Sequence, residues 1–298
     1  VATFVGHGTI RTCVMGFDTR FPTERELTQM KELISSTMRQ GALGLSTGIE
    51  YNPGKSAKTE EIVELCKTVR EMSGIYVTHP RNRDTHCVEA VDEAIEIAEQ
   101  AGVPLHISHL SPRFPAEGMG KELLKPIDQA RARGIDVTCD VVSPSPKEGY
   151  HWGESDLATQ VIPPWGFEGG AAKTLERLRE PAIRERFKRE VEPQWKLVSA
   201  GKWDRIKLLH SRKRPELAGM TLLEISRRMG VDPWDACFDV LLDGEMRVPI
   251  LGATIAEKDM CDIIRHPTAS IEADRRTVAP HGPTSTLGID PNFYGAFT

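Results

Sequence analysis

Two of the chain's nine histidines close short apolar runs: His79 in "IYVTHP" (75–80) and His109 in "VPLHISHL" (103–110). Carboxylates stand at comparable places. "ALGLSTGIEY" (42–51) ends near Glu50, "IDVTCDVV" (135–142) carries Asp140, and "TASIEADRR" (268–276) carries Asp274. Neutral imidazole nitrogens and carboxylate oxygens are the donors zinc takes. A carboxylate beside such an ion can also act as general base toward a metal-activated water. The spacing supplies one donor per apolar run, not the i, i+4 pair of a helix-borne HExxH site, so only the fold could bring them together. On this reading His79, His109, Asp274 and Glu50 are the metal candidates, and Asp274 is also the catalytic acid–base candidate. Each residue also has a plainer reading: a strand-end histidine can pack structurally, Asp140 can cap a loop, and Glu50 can pair with a cation. His106 lies three residues before His109, so within one strand the two would face opposite sides; His106 is assigned to helix packing. His7, in the Gly-flanked "VGHGTIR", is a substrate-side candidate, and the other histidines are assigned to surface or loops.

The elements that must position these groups alternate. Apolar residues at helical spacing mark 22–41, 56–74, 83–102 and 120–134, and β-branched apolar runs mark 42–51, 75–80, 103–110 and 135–142. A Pro-Thr start and a Gly stop bound the first helix, Thr59 is a candidate cap for the second, and Pro126 must sit early in the fourth or kink it. Four strand–helix units in succession predict a parallel sheet with crossover helices outside it. A closed barrel and an open doubly wound sheet both satisfy that pattern. In either, ligands gather at the carboxyl ends of the strands, where the histidines lie. The rhythm breaks over 143–215, which is rich in Pro, Gly and Trp and contains charged helices within 171–200. It is read as an insertion covering one end of the sheet. Helices over 221–230, 233–243 and 255–265 and strands over 247–253 and 268–276 then resume the alternation, and the chain ends loop-like.

Bulk properties exclude some classes. Hydrophobic residues make up 39% and charged residues 27% of the 298, with a net charge of −5, ordinary for a globular protein of this length. The most basic segment, 177–189, is interleaved with glutamates and reads as a solvated helix face, so nucleic acid is not an expected partner. No apolar run approaches the roughly 18 residues of a membrane span. The six cysteines are scattered without CxxC spacing, which fits reduced thiols and a cytoplasmic location.

Several phrases, taken in order, resemble the N-acyl-D-amino-acid deacylases of the amidohydrolase superfamily: "GHGTIR", "GALGLSTGIEYNPG", "YVTHPRN", "ISHL", "IPPWGFEGG", "LREP" and a closing "YGAF". The resemblance implies a (β/α)8 TIM-like barrel with one or two zinc ions at its rim, hydrolysing an amide bond of a small-molecule, N-acyl amino-acid-like substrate. It implies zinc ligation by His79 and His109 and proton handling by Asp274. It divides the chain into barrel strands 4–7 (1–142), an active-site lid after strand 7 (143–215), and the last barrel unit with a C-terminal loop (216–298).

Two departures from the family pattern stand out. The family's HxH pair and cysteine ligand precede the phrases found here, so a further polypeptide segment is expected to supply strands 1–3 and the β-sandwich. The family's carboxylate clamp is also altered. Its lysine, tyrosine and arginine fall at Ser111, "VVSPSP" (141–146) and Asn292, while Arg275 replaces a glycine and Arg83 a glutamate. Ser111, Asn292, Arg81, Arg83 and Arg275, with Lys147, become the substrate-binding candidates. Alternatives remain open: a hydrolase of cyclic or other non-amino-acid amides, and a catalytically silent homologue or subunit that binds a ligand or partner. Homo-oligomerisation is left open as well.

Overall fold

A computed structural model describes residues 2–16, 18–143, 149–211 and 213–274. The described chain forms two units, one combining residues up to Ser143 with those from Lys258 onward, the other ending at Glu257.

The first unit opens with β1 (Val5–Gly6), a two-residue strand the sequence pattern had not marked, followed at once by α1 (His7–Met15) and α2 (Glu24–Arg39). Thr23 caps α2 in a reciprocal box with Glu26, its hydroxyl taking the Glu26 amide while the Glu26 carboxylate takes the Thr23 amide at 2.8 Å. Then come β2 (Gly44–Gly48), α3 (Thr59–Glu71), β3 (Ile75–His79), α4 (Cys87–Ala101), β4 (Leu105–Ile107), α5 (Gly120–Ala132) and β5 (Val137–Val142). Each lies inside the window expected from the sequence. Thr59 is not the cap of α3; it is the first helical residue, and its hydroxyl donates to Glu93 on α4 at 2.8 Å. Pro126 sits within α5, which continues through it to Ala132.

In the second unit, β6 (Tyr150–Asp156) is followed by α6 (Leu157–Val161), α7 (Gly170–Leu178), α8 (Pro181–Glu190), α9 (Lys196–Ser199), β7 (Ile206–Leu208), α10 (Leu222–Met229), α11 (Pro233–Asp243) and β8 (Pro249–Ala256). Its sheet is antiparallel, in the order β6-β8-β7. The run "RVPILGA" therefore pairs with β6 and β7 and not with the parallel strands, and the stretch from 216 to Glu257 groups with the segment before it. A continuous apolar run marks a buried strand without saying which sheet buries it.

The chain then re-enters the first unit through α12 (Glu257–Ile264) and β9 (Ala269–Glu272). The sheet order is β1-β2-β3-β4-β5-β9, and every neighbouring pair is parallel. Among the described residues that makes six parallel strands, with β1 in the sheet where the sequence reading had placed 247–253, and β1 and β9 at the edges. Alternation along the strands sorts the side chains. Leu45, Tyr76, Leu105, Ile107, Val137, Cys139 and Val141 are buried. The residues alternating with them, including Ser46, Val77, His79, His106, Thr138 and Asp140, are only half-buried and share the other face. Among the described residues no helix is long and apolar enough to cross a membrane.

Candidate active site

A cavity of about 470 Å³ opens at the carboxyl ends of the parallel strands, lined by residues from the turns after β1 and β2, by His79, Ser108 and His109, and by Asp140, Glu272 and Asp274. The two predicted histidines meet here. His79 Nδ1 and His109 Nε2 lie 2.9 Å apart, and the rings pack edge to face with centroids at 4.4 Å. His79 is the last residue of β3. His109 lies two residues beyond β4, with φ at 39°. That left-handed turn is uncommon for a residue with a side chain. Two hydrogen bonds frame it: Ser108 N–H donates to Thr78 O at 2.9 Å, and the His109 amide donates to Asp140 Oδ1.

Behind His79 stands Glu50. Its Oε2 is 2.7 Å from His79 Nε2, and its Oε1 accepts from Arg113. Glu50 thus lies on the side of the imidazole away from His109, where it orients the ring and does not share the space between the two histidines. Burial works to raise the Glu50 pKa, but the His79 hydrogen bond and the Arg113 charge outweigh it and hold the carboxyl at about 2. Glu50 is therefore an acceptor, and His79 carries its proton on Nε2, leaving a lone pair on Nδ1. His109 Nε2–H donates to that lone pair, which leaves His109 Nδ1 buried and without a partner among the described residues. Burial lowers the pKa of both histidines, His109 well below the ordinary value, and the nearby Arg83 charge adds to the effect.

His106 does not pack against a helix. Its Nε2 is 2.9 Å from Asp140 Oδ2 and its Nδ1 is 2.8 Å from Thr138 Oγ1. The face argument used to part His106 from His109 fails because β4 ends at Ile107, before His109, so strand alternation no longer governs the second histidine.

Asp274 lines the cavity two residues after β9, with φ at 42°. Glu272, which the sequence reading passed over, lines it too. Glu272 Oε1 is buried without a partner among the described residues. Burial first, then the Asp274 and Asp140 charges, push its carboxyl up to about 8.

The substrate-binding candidates are placed less favourably. Arg81 is tied to Glu93 on α4 at 2.8 Å and to the Lys55 and Ala57 carbonyls. Arg83 is buried and donates to Ser111, whose hydroxyl donates to His109 O at 3.1 Å. Burial, then the Arg113 charge, lower the Arg83 pKa to about 10. None of the three lines the cavity: Arg81 is committed to a carboxylate and to carbonyls, and Arg83 and Ser111 are bonded to each other. Arg275, Asn292 and Lys147 lie outside the described residues.

Sequence reasoning also missed a buried triad at the start of α1. Glu61 on α3 takes Arg11 Nη1 at 2.6 Å and pairs with His7 Nε2 at 2.9 Å, and all three side chains are inaccessible. His7 and Arg11 are i, i+4 neighbours on one helix face. A charged residue on the apolar face of an amphipathic helix, as Glu61 is beside Ile62 and Leu65, was the available signal.

No protein-family model matches the chain. The D-aminoacylase of Alcaligenes xylosoxydans xylosoxydans is 40% identical over 143 residues, which is 47% of this chain and 29% of that protein. The N-acyl-D-glutamate deacylase of the same organism is 32% identical over 142 residues, again 47% and 29%. Among solved structures, the N-acyl-D-glutamate deacylase of Bordetella bronchiseptica, complexed with zinc and a phosphonate inhibitor, superposes with a TM-score of 0.69 at 25% identity, covering 92% of this chain and 48% of that one. A D-aminoacylase described as defining a novel subset of amidohydrolases superposes at 0.65 with 27% identity, covering 92% and 47%. The chain therefore spans about half the length of these solved relatives and under a third of the curated ones. The resemblance to N-acyl-D-amino-acid deacylases, and with it an amidohydrolase α/β barrel represented here in part, is borne out.

Proposed function

We propose that this chain carries part of the active site of a zinc-dependent amidohydrolase that cleaves the C–N amide bond of an N-acyl amino-acid-like substrate. The observation that carries the reading is the pair of neutral imidazoles meeting nitrogen to nitrogen at 2.9 Å in a strand-end cavity. The likeness to D-aminoacylase and to the zinc-containing N-acyl-D-glutamate deacylase supports it.

The fit to a metal ion is partial and specific. His79 Nδ1 and His109 Nε2, 2.9 Å apart, are the nitrogens that would hold such an ion, once the proton between them moves to the unpartnered His109 Nδ1 and both rings stay neutral. Their lowered pKa values favour the neutral, ligating form. Among the described residues no group of three or more His, Cys, Asp or Glu is arranged to hold an ion. His79 and His109 would hold it together with donors from elsewhere, one or two ions being compatible with that. When bound, such an ion polarises the substrate carbonyl and acidifies water. In this reading a further stretch of polypeptide closes the barrel between the edge strands β1 and β9.

The chain's own residues then have defined tasks. Glu50 fixes the tautomer and aim of His79, and Arg113 holds Glu50 in place. Asp140 anchors the His109 backbone in its left-handed turn. Asp274 accepts the proton of the attacking water and returns it to the leaving nitrogen. A second reading, a catalytically silent homologue that binds a ligand without turnover, is favoured by one observation: no three donors among the described residues are arranged around an ion site.

Zinc content and hydrolysis of N-acetyl-D-amino acids by the full-length protein decide between them. Zinc should be present, lost in His109→Ala, and retained in Asp274→Asn with turnover lowered by about 10²–10⁴. Zinc binding indifferent to His109, or full activity without Asp274, would sink the assignment.

A further inference from the structure

The cavity has a second polar wall that the proposed chemistry leaves unused. Gly6, His7, Gly8 and Thr9 line it where β1 turns into α1. This nine-residue helix starts without a side-chain cap. The first amides of a helix have no acceptor within it and carry the positive end of the helix dipole.

His7, the first helical residue, is 1% exposed, and its Nδ1 has no partner among the described residues. Its other nitrogen is held by Glu61, which Arg11 pins from the far side. Because that carboxylate only accepts, His7 Nε2 bears the proton and Nδ1 presents a lone pair. The wall therefore offers backbone N–H donors under a positive field, with one acceptor beside them.

Charge around the rest of the cavity sharpens the reading. Among the described lining residues there is no lysine or arginine, while Asp140 and Asp274 are acidic. The nearby guanidiniums of Arg81, Arg83 and Arg113 are engaged with Glu93, Ser111 and Glu50. Sheet order places α1 after one edge strand, the two histidines in the middle and the acids on β5 and after β9 toward the other edge. An anionic group entering the cavity is repelled at the acidic end and met by unpaired amides at the α1 end.

We propose that the first turn of α1 is the carboxylate seat of the substrate: the Gly8 and Thr9 amides hold the anion, and His7 Nδ1 accepts the N–H on the neighbouring atom. A carboxylate and an amide N–H on one carbon define an N-acylated α-amino acid with its carboxyl free. The name of the ligand rests on the amidohydrolase reading; the seat itself rests on His7, the uncapped helix and the charge of the lining.

The test exploits Gly6, the residue preceding the helix, whose backbone is extended at φ −79° and ψ 122°. A Cβ there would meet Thr9 Oγ1 at 3.4 Å, an ordinary contact. Gly6→Asp places a carboxylate where it caps the helix and fills the seat, so the helix is kept while the ligand is displaced. The full-length, zinc-loaded protein and this variant are titrated calorimetrically with N-acetyl-D-alanine and with its neutral carboxamide, and KM is measured wherever turnover occurs. The unmodified protein should prefer the acid at least tenfold, and Gly6→Asp should erase that preference by weakening the acid alone, with an unchanged or higher Tm. Equal affinity for acid and amide in the unmodified protein, binding of neither, or a preference that survives Gly6→Asp would each overturn the proposal. Acid-selective, Gly6-sensitive binding without hydrolysis would sink the deacylase reading and leave the seat. Hydrolysis indifferent to Gly6→Asp would do the reverse.

Discussion

Replacing Glu61 by alanine tests whether the α1 end of the cavity is held by buried electrostatics. Glu61 takes Arg11 at 2.6 Å and His7 at 2.9 Å with no accessible surface on any of the three side chains. Removing one partner of a buried ion pair leaves the other charge desolvated and unpaired, at about 3–5 kcal/mol. Arg11 keeps two other acceptors, the Asp18 carbonyl at 3.2 Å and the Arg20 carbonyl at 2.7 Å. Those contacts place Glu61→Ala toward the lower end, about 3 kcal/mol, a large part of the roughly 5–15 kcal/mol that holds a folded protein together. The double variant Glu61→Leu/Arg11→Met removes both charges at once and should recover about 2 kcal/mol of that loss, because apolar groups of similar volume often replace a buried pair at little cost.

The probe matters. All five tryptophans lie between 152 and 234, in the second unit, so their fluorescence does not report on this region. Urea unfolding followed by far-UV circular dichroism does. Loss of under 1 kcal/mol in Glu61→Ala, or a double variant that is worse than the single one, would refute the claim that the triad secures α1.

Two further outcomes follow from the same geometry. In metal-free protein, Glu272 has a pKa raised from 4.5 to about 8, so the native state holds its proton more tightly than the unfolded one. Its contribution is complete below about pH 4.5 and is lost as pH rises to about 8; Glu272→Gln should flatten that decline in a Tm-against-pH series, and an unchanged slope counts against it. In Gly44→Ala, the new Cβ would stand 1.9 Å from the Ile75 carbonyl oxygen of the adjoining strand. The backbone has to shift, at about 3 kcal/mol, and a variant as stable as its parent in urea would show the β2–β3 approach to be looser than described.

What could be read ahead of the structure was what local periodicity controls. The windows of β2 to β5, the helices between them and the strand-end places of His79 and His109 came from apolar spacing alone, because parallel strands buried by crossover helices leave a clear alternation. β1 was missed since two residues carry no period. The fate of 247–253 was missed since an apolar run fits either sheet. Among site residues, the guanidiniums misled: Arg81 and Arg83 look like ligands in a list of charges, yet long-range partners on α4 and after β4 had claimed them. Arg113 and Glu61 were passed over, and His7 was read as a substrate-side residue and not as a partner of Glu61, since an ion pair across 50 or more residues of chain leaves little local trace beyond a carboxylate on an apolar helix face.

The backbone of His109 connects these observations. Had β4 continued in register through 109, alternation would have placed His106 and His109 on opposite faces, and only one imidazole could have reached the face His79 occupies. The chain instead leaves the strand after Ile107 and turns into the left-handed region at His109, with its amide held by Asp140. The turn brings His109 Nε2 to His79 Nδ1 while His106 remains on the strand and braces the same Asp140 from the other oxygen. One aspartate thus ties together the residue that stays in the sheet and the residue that leaves it. Left-handed φ is strained for a residue with a side chain, and such strain persists only where surrounding contacts enforce it. Here the enforcing contacts are an aspartate and a neighbouring strand, and what they secure is the meeting of two imidazoles.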